Sequence, residues 1–256
     1  MEYLIICSAA LFASTLTLFS GFGVGSLLMP VFALFFPLDL AVALTAVVHF
    51  LNNLFKLALL GRHAHISTVL KFGLPAIFSA FFGAWLLLWL SDLSPLMSYS
   101  ISGHQFYIMP VKLIIAILMA FFAIFELLPD FAGLSIQRKH LPLGGILSGF
   151  FGGLSGHQGA MRSAFLIRCN LSKEGFIATG VVIACMVDIT RLTVYSTGLL
   201  EKVSGNGLLV TAATLSAFAG AFIGRKLLKK VTLHSIQVIV STMLFGIAVG
   251  LGTGII

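Results

Sequence analysis

Residues 152–162 read Gly-Gly-Leu-Ser-Gly-His-Gln-Gly-Ala-Met-Arg, a glycine-rich stretch that lies between two apolar segments. A second glycine-rich stretch, Gly-Phe-Gly-Val-Gly at residues 21–25, is also enclosed by apolar sequence. Glycine is a poor helix former, and glycine clusters within apolar segments are typical of helices that are broken inside a membrane. Close packing of helices through small residues is the alternative explanation. We predict a helical hairpin at each of these two breaks.

The apolar sequence around the breaks is long enough to cross a membrane several times. Hydrophobic residues make up 59% of the 256 residues and charged residues only 9%, whereas a soluble domain has about 25% charged residues. Six stretches reach about 20 residues, the length of a transmembrane helix. They are Leu40–Leu60, Phe72–Leu90, Ile108–Leu128, Gly175–Leu200, Gly207–Leu228 and Ile236–Ile256. The composition predicts an all-α polytopic membrane protein, and the first apolar segment, which follows Glu2 and no basic region, is not expected to be a cleavable signal.

Features of the first half of the chain recur in the same order in the second half. Ser-Ala-Phe-Phe-Gly-Ala-Trp at residues 79–85 matches Ser-Ala-Phe-Ala-Gly-Ala-Phe at residues 216–222, and the two breaks lie a similar distance apart. This recurrence is typical of transporters built from internal repeats, with chance similarity as the alternative. We predict a first membrane repeat at 1–130, a cytoplasmic connecting loop at 131–142 and a second membrane repeat at 143–256.

The basic residues predict the orientation of the two repeats. If each break is a hairpin that enters and leaves on one side, the loops around Arg62–Lys71, Arg138–Lys139 and Arg225–Lys230 all face the cytoplasm, as the positive-inside rule requires. Each repeat then contains a glycine-broken helical hairpin and three transmembrane helices. Because three crossings are an odd number, the second repeat is inverted relative to the first, and both ends of the chain lie outside.

Polar side chains inside the apolar stretches are candidate functional residues, because such groups are costly within a membrane. One set has the spacing i, i+3, i+4, i+7, which places its members on one helical face. This set is His49, Asn52, Asn53 and Lys56. A packing network between helices, with the lysine reaching towards the membrane surface, is the alternative role.

Asp188 and Arg191 are three residues apart within another apolar stretch, so they can form an ion pair on one helical face. This pair could hold the fold together or exchange partners during transport. The residues predicted for proton coupling or gating are His49, Lys56, Asp188 and Arg191.

The second break has the residue types of an anion site. A helix that begins near Gly159 would present free N–H groups and the positive end of its dipole. Arg162 would add donors suited to an oxyanion, and the first break would bring a second helix end. The predicted binding residues for a small anionic substrate are Arg162, Gln158, His157, Gly156, Gly159, Asn52, Gly23 and Gly25.

Two motifs resemble a known family. Residues 21–30, Gly-Phe-Gly-Val-Gly-Ser-Leu-Leu-Met-Pro, resemble the first motif of the TauE/SafE-type sulfite exporter family. Residues 155–165, Ser-Gly-His-Gln-Gly-Ala-Met-Arg-Ser-Ala-Phe, resemble the second-repeat motif of one branch of it. The resemblance covers essentially the whole chain and implies transport of sulfite, an organosulfonate or another sulfur oxyanion, in a bacterial inner membrane. The commoner form of the second motif in the family is richer in glycine and has a proline near the position of Ala164. This chain departs from that form, and the departure bears on the substrate.

These observations predict a secondary transporter that exports a small anion by alternating access, without a cofactor or a bound metal. The expected partners are the anion and the lipid bilayer. Two further candidates are a proton, carried by His49 or His157, and a second copy of the chain in a homodimer. Nucleic acid is not expected, because basic loops of membrane proteins have a commoner cause in orientation. The alternatives are an anion channel and a membrane-embedded enzyme with one of the two histidines as a base.

Overall fold

The computed structural model describes residues 1–20, 23–101, 103–127, 137–227 and 233–256. These residues form mainly α-helices, joined by short connections. The helices are α1 (Glu2–Ser20), α2 (Val24–Ala33), α3 (Leu38–Leu60), α4 (Ile66–Ser91), α5 (Pro110–Leu127), α6 (Leu141–Ser155), α7 (Gly159–Leu166), α8 (Lys173–Gly205), α9 (Gly207–Leu227) and α10 (Leu233–Thr253). Single 3-10 turns lie at Gly61–His63, Arg138–His140 and Ile167–Cys169.

Four of these helices, α3, α4, α8 and α9, are long and apolar enough to cross a membrane. Shorter apolar segments lie in α1, α2, α5 and α10. Each of the six predicted apolar stretches coincides with one helix, with ends that differ by a few residues. The prediction of an all-α polytopic membrane protein is confirmed.

The largest difference from the predicted boundaries is at the start of α4. The predicted loop Arg62–Lys71 is too long, because α4 already begins at Ile66 and therefore contains Lys71. The imidazole of His65 caps this helix by accepting a hydrogen bond from the backbone N–H of Thr68 (3.3 Å). Histidine is not among the usual N-cap residues, so the sequence carried no ordinary start signal here.

A small hairpin of β1 (Met97–Ile101) and β2 (His104–Ile108) lies between α4 and α5 and was not predicted. Its strands are antiparallel, and Ile108 therefore belongs to β2 instead of the following helix, which begins at Pro110. Proline favours the first position of a helix. The hydroxyl of Tyr99 donates to the backbone oxygen of Thr253 (2.6 Å), which fixes the hairpin to the end of α10.

Some predicted features lie partly outside the described residues. These are Gly21 of the first break, residues 131–136 of the predicted connecting loop and residues 228–230 of the third basic loop. In the rest of the connecting loop, Arg138–His140 forms a 3-10 turn, and α6 starts at Leu141, two residues before the predicted start of the second repeat.

The helices pack in the same way in the two parts of the chain, which are α1–α5 and α6–α10. The first helix of each part lies against the fourth helix of the other, so α1 packs on α9 and α4 packs on α6. The two matching heptapeptides lie at these contacts. A Cβ atom added to Gly83 would overlap the carbonyl oxygen of Phe150, and one added to Gly220 would overlap that of Leu11. Both glycines therefore let two helix backbones approach closely.

The central helices α3 and α8 pack on each other, and the short helices α2 and α7 lie beside them. All ten residues of α2 are buried. A helix that starts at a break within a membrane needs its free backbone groups shielded from lipid, and the surrounding helices supply that shield.

The close approach of these helices gives a stability prediction. We expect Gly83→Ala or Gly220→Ala to lower the free energy of unfolding by about 1–3 kcal/mol, because the new methyl group overlaps a carbonyl that cannot move freely. The measurement is the melting temperature of the purified protein in detergent. Gly198→Ala is the control, since a Cβ atom at Gly198 has no neighbour within 4 Å. Equal melting temperatures for all three variants would contradict this account of helix packing.

Candidate functional site

The carboxylate of Asp188 in α8 is completely buried and is the centre of the polar network. Its Oδ2 atom lies 2.7 Å from Nδ1 of His49 in α3. Its Oδ1 atom accepts hydrogen bonds from Nη2 (2.7 Å) and Nε (3.0 Å) of Arg191. Weaker contacts come from the amides of Asn53 (3.3 Å) and Gln158 (3.4 Å). The predicted pair of Asp188 and Arg191 is confirmed, and it is extended by a histidine of another helix.

The same helix also holds the end of α6. The guanidinium of Arg191 donates to the backbone oxygen of Gly152 (3.2 Å), and the hydroxyl of Tyr195 donates to that of Gly153. The carbonyl of Gly152 also accepts the N–H of Gly156 (3.1 Å), so Arg191 gives it a second partner. Tyr195, in contrast, supplies a partner for one of the last carbonyl groups of α6. Gly156 then takes a left-handed conformation with φ of 81°, which glycine adopts without strain.

The glycines of the second break have two different roles. Gly152 and Gly153 remain helical, and a Cβ atom on Gly153 would overlap the carbonyl oxygen of Ala80 in α4. The packing explanation therefore holds for these glycines, and the predicted break of residues 152–159 is too long. The chain leaves the helix only from Gly156 to Gln158.

The two breaks meet in the middle of the protein. A Cβ atom on Gly25 would lie 3.4 Å from the backbone oxygen of Gly156, and one on Gly23 would lie 3.1 Å from Nε2 of His49. The helix α7 begins at Gly159, as predicted, with Gln158 at its N-cap position. Two helix N-termini, those of α2 and α7, are thus placed at one buried site.

The side-chain amide of Gln158 links this site to the next turn of α7. Its Oε1 atom accepts a hydrogen bond from Nη1 of Arg162 (3.3 Å), and its Nε2 atom donates to Asp188 (3.4 Å). The hydroxyl of Ser148 donates to the backbone oxygen of Gln158 (3.0 Å). Because each end of the amide has a partner of the matching type, its orientation is fixed.

Arg162 and Lys56 are buried basic residues that have no ion pair with a carboxylate among the described residues, although Asp188 acts on Arg162 from a longer distance. Their exposed fractions are 7% and 6%, so Lys56 does not reach the protein surface. The two side chains are close enough to interact electrostatically. Within the described ranges, the ion pairs of this site join Asp188 to His49 and Arg191 only. Three basic side chains therefore share one carboxylate, and the site has an excess of basic groups.

Three buried polar atoms near the breaks have no hydrogen-bond partner among the described residues: Thr45 Oγ1, Asn52 Nδ2 and His157 Nε2. Asn52 uses its Oδ1 atom to accept a hydrogen bond from Ser14 of α1 (3.3 Å). Buried polar groups are normally paired, and each unpaired one calls for an explanation. A bound polar ligand would supply the missing partners.

The structure brings the predicted site residues together, with one difference in direction. Asn53 contacts Asp188, whereas Asn52 is turned towards α1. Sequence analysis missed Ser14, Thr45 and Tyr195. Thr45 precedes His49 by four residues and shares its helical face, so the spacing could have identified it. The contacts of Ser14 and Tyr195 depend on tertiary packing and left no signal in the sequence.

The part of the chain that the structure describes contains no group of three or more His, Cys, Asp or Glu residues that could hold a metal ion. The three cysteines are free thiols, and Cys169 and Cys185 are buried.

Comparison with known proteins identifies one family. The family described as sulfite exporter TauE/SafE matches residues 6–251 of the 256-residue chain. No curated protein matches the chain.

The network around Asp188 gives a second stability prediction. We expect Asp188→Asn to lower the free energy of unfolding by about 3–5 kcal/mol, because it leaves a buried arginine without its carboxylate. Chemical denaturation of the purified protein measures this change. Asp92→Asn is the control, since Asp92 is exposed at the end of α4. Unchanged stability of Asp188→Asn would show that the ion pairs do not hold these helices.

Proposed function

Because this chain belongs to the sulfite exporter TauE/SafE family, we propose that it is a secondary transporter that exports sulfite or a related sulfur oxyanion or organosulfonate. The proposed location is a bacterial inner membrane. The observation that carries the proposal is the pair of buried cations, Arg162 and Lys56, which have no carboxylate partner among the described residues.

The excess positive charge favours an anion over a cation or a neutral solute. An uncompensated charge is costly inside a membrane protein, and an anion between Arg162 and Lys56 would offset that cost. The planar guanidinium presents paired donors that match an oxyanion. Gln158 accepts a hydrogen bond from one nitrogen of Arg162 and so fixes the direction of the guanidinium.

The backbone supports the same choice of substrate. The first turn of α7 has N–H groups without partners in the helix, and the positive end of its dipole lies beside the site. Gly159, the first residue of α7, has no side chain to cover these groups. A small oxyanion can accept hydrogen bonds from a helix end and from an arginine together.

Alternating access requires two parts that can move against each other. We propose that these are two inverted repeats, residues 1–130 and 143–256, and the reciprocal packing of α1 on α9 and α4 on α6 supports this division. The hydrogen-bonded contact between Nδ1 of His49 and Oδ2 of Asp188 joins the two repeats. Movement of the repeats would have to break or rearrange this pair, which gives it the role of a gate.

The central test is anion flux in proteoliposomes that contain the purified protein and labelled sulfite. We expect Arg162→Ala to reduce the saturable flux of sulfite about a hundredfold or more, because at least two hydrogen bonds to a charged group are lost. Arg168→Ala is the matched control, since Arg168 is an exposed arginine six residues further along the chain. Normal sulfite flux by folded Arg162→Ala protein would rule out this residue as the binding group.

The same vesicles separate a transporter from the alternatives. A transporter shows counterflow, in which unlabelled sulfite on one side drives labelled sulfite across from the other, and a channel does not. Sulfite recovered in a chemically altered form would indicate an enzyme.

A further inference from the structure

The polar residues of the site lie at different heights along α3 and α8. At one height, Lys56 of α3 is near Arg162, whose Nε atom lies 3.3 Å from the Cβ position of Gly180 in α8. At the next height, His49 of α3 meets Asp188 of α8. The cations without carboxylates therefore lie to one side of the ion pairs.

Thr45 lies to the other side of the ion pairs. It is eleven residues from Lys56, which corresponds to about 16 Å along a helix. Its methyl carbon would lie 3.8 Å from a Cβ atom on Gly25, and that Cβ atom would lie 3.4 Å from the backbone oxygen of Gly156. Because His157 follows Gly156 directly, Thr45 and His157 both lie at the junction of the two breaks.

Both side chains at this junction are almost completely buried, with exposed fractions of 1% for Thr45 and 2% for His157. Each carries a polar atom without a partner among the described residues, Oγ1 of Thr45 and Nε2 of His157. Each of these two unpaired atoms belongs to a residue that lies beside the junction, and each calls for an explanation such as a bound ligand.

The hydrogen bonds of His157 determine which ring nitrogen carries a proton. The Nδ1 atom lies 3.1 Å from the hydroxyl oxygen of Ser155, and that hydroxyl donates its only proton to the carbonyl oxygen of Phe151 (3.1 Å). In this arrangement the ring donates from Nδ1 to the hydroxyl oxygen of Ser155. In the neutral ring, Nε2 then has a lone pair and no proton. A fully deprotonated oxyanion also offers only lone pairs, so it can contact Nε2 only after that atom is protonated.

The surroundings of His157 oppose and favour the protonated ring at the same time. From α5, the ring of Phe122 stacks on the imidazole at 5.6 Å with an interplanar angle of 5°, and aromatic faces attract cations. Burial of the ring acts against its charged form, and the charge of Arg191 in α8 acts in the same direction. From α3, the imidazole of His49 also lies at this junction. From α6, Ser155 contributes a neutral hydroxyl. An anion at the junction would offset the two neighbouring positive charges.

We propose that Thr45 and His157 form a second anion-binding position, at the junction of the two breaks, which holds the anion only when His157 is protonated at Nε2. The inference rests on the proposed function. The anion would pass from Arg162 and Lys56, beyond the ion pairs of Asp188, to this position. Nε2 takes the proton from water on the side where the anion enters and returns it to water on the other side. Because binding linkage is reciprocal, a proton and an anion move together in the same direction.

The test is calorimetric titration of the purified full-length protein with sulfite, in buffers of different ionisation enthalpy, between about pH 6 and pH 8. Sulfite itself exchanges a proton in this range, so the measured quantity is the difference between wild type and His157→Gln. A glutamine amide donates without needing a proton. We expect His157→Gln to take up one proton fewer than the wild type when it binds sulfite. Its dissociation constant should also change less with pH than that of the wild type, by a factor of about ten for each pH unit.

His104→Gln is the matched control, because His104 is an exposed histidine in β2, and it should keep the proton uptake of the wild type. Thr45→Val, which has the same shape but no hydroxyl, should weaken sulfite binding about tenfold at every pH and leave proton uptake unchanged. If His157→Gln does not fold, the wild type alone is measured. Proton uptake by the wild type that is fully accounted for by sulfite itself would contradict the proposal.

The possible failures are distinguishable. No sulfite binding by the wild type contradicts the proposed function, and this inference with it. Sulfite binding that depends on Arg162 but gives equal proton uptake in wild type and His157→Gln contradicts only the second position.

Discussion

A carboxylate that is wholly removed from water must be surrounded by hydrogen-bond donors. The arrangement of the site follows from the donors that surround Asp188. His49 and Arg191 each approach it within 2.7 Å, one from α3 and the other from its own helix. Gln158 adds a contact from the second break. These partners fix the height of α3 relative to α8 and the position at which the chain leaves α6. Losing any one of them would leave charge or dipoles unpaired where water cannot replace them.

The carboxylate of Asp188 is paired with only one of the buried arginine and lysine side chains that the structure describes. Arg191 is neutralised by Asp188 and also holds the end of α6, so its donors are in use. Arg162 and Lys56 have no such partner among the described residues. A buried arginine is therefore not by itself a sign of an anion site. The sign is a cation whose partner the protein does not supply, and that condition separates Arg162 from Arg191.

The sequence was a good guide where a local property decides the structure. Apolar length located the membrane helices, and the spacing of Asp188 and Arg191 anticipated their ion pair. The start of α7 at Gly159 followed from glycine and polar residues next to each other. Contacts between distant residues could not be anticipated in this way, since His49 and Asp188 are 139 positions apart. The helix start after His65 was missed as well, because an imidazole took the role usually filled by a serine, threonine, asparagine or aspartate.

Glycine shows most clearly why local reasoning reaches a limit. Gly153 and Gly156 are three residues apart in one cluster, yet the first packs a helix against α4 and the second ends that helix. Nothing in the cluster itself separates these roles, because both depend on which carbonyl groups and side chains lie opposite. Arg191 adds a second hydrogen bond to the carbonyl of Gly152, which also accepts the N–H of Gly156. Tyr195 supplies a partner for the carbonyl of Gly153, so α8 stabilises the end of α6 at Ser155. The position of the break, and of the helix end that faces the anion site, is thus set by α8, a helix that begins after the break in the chain.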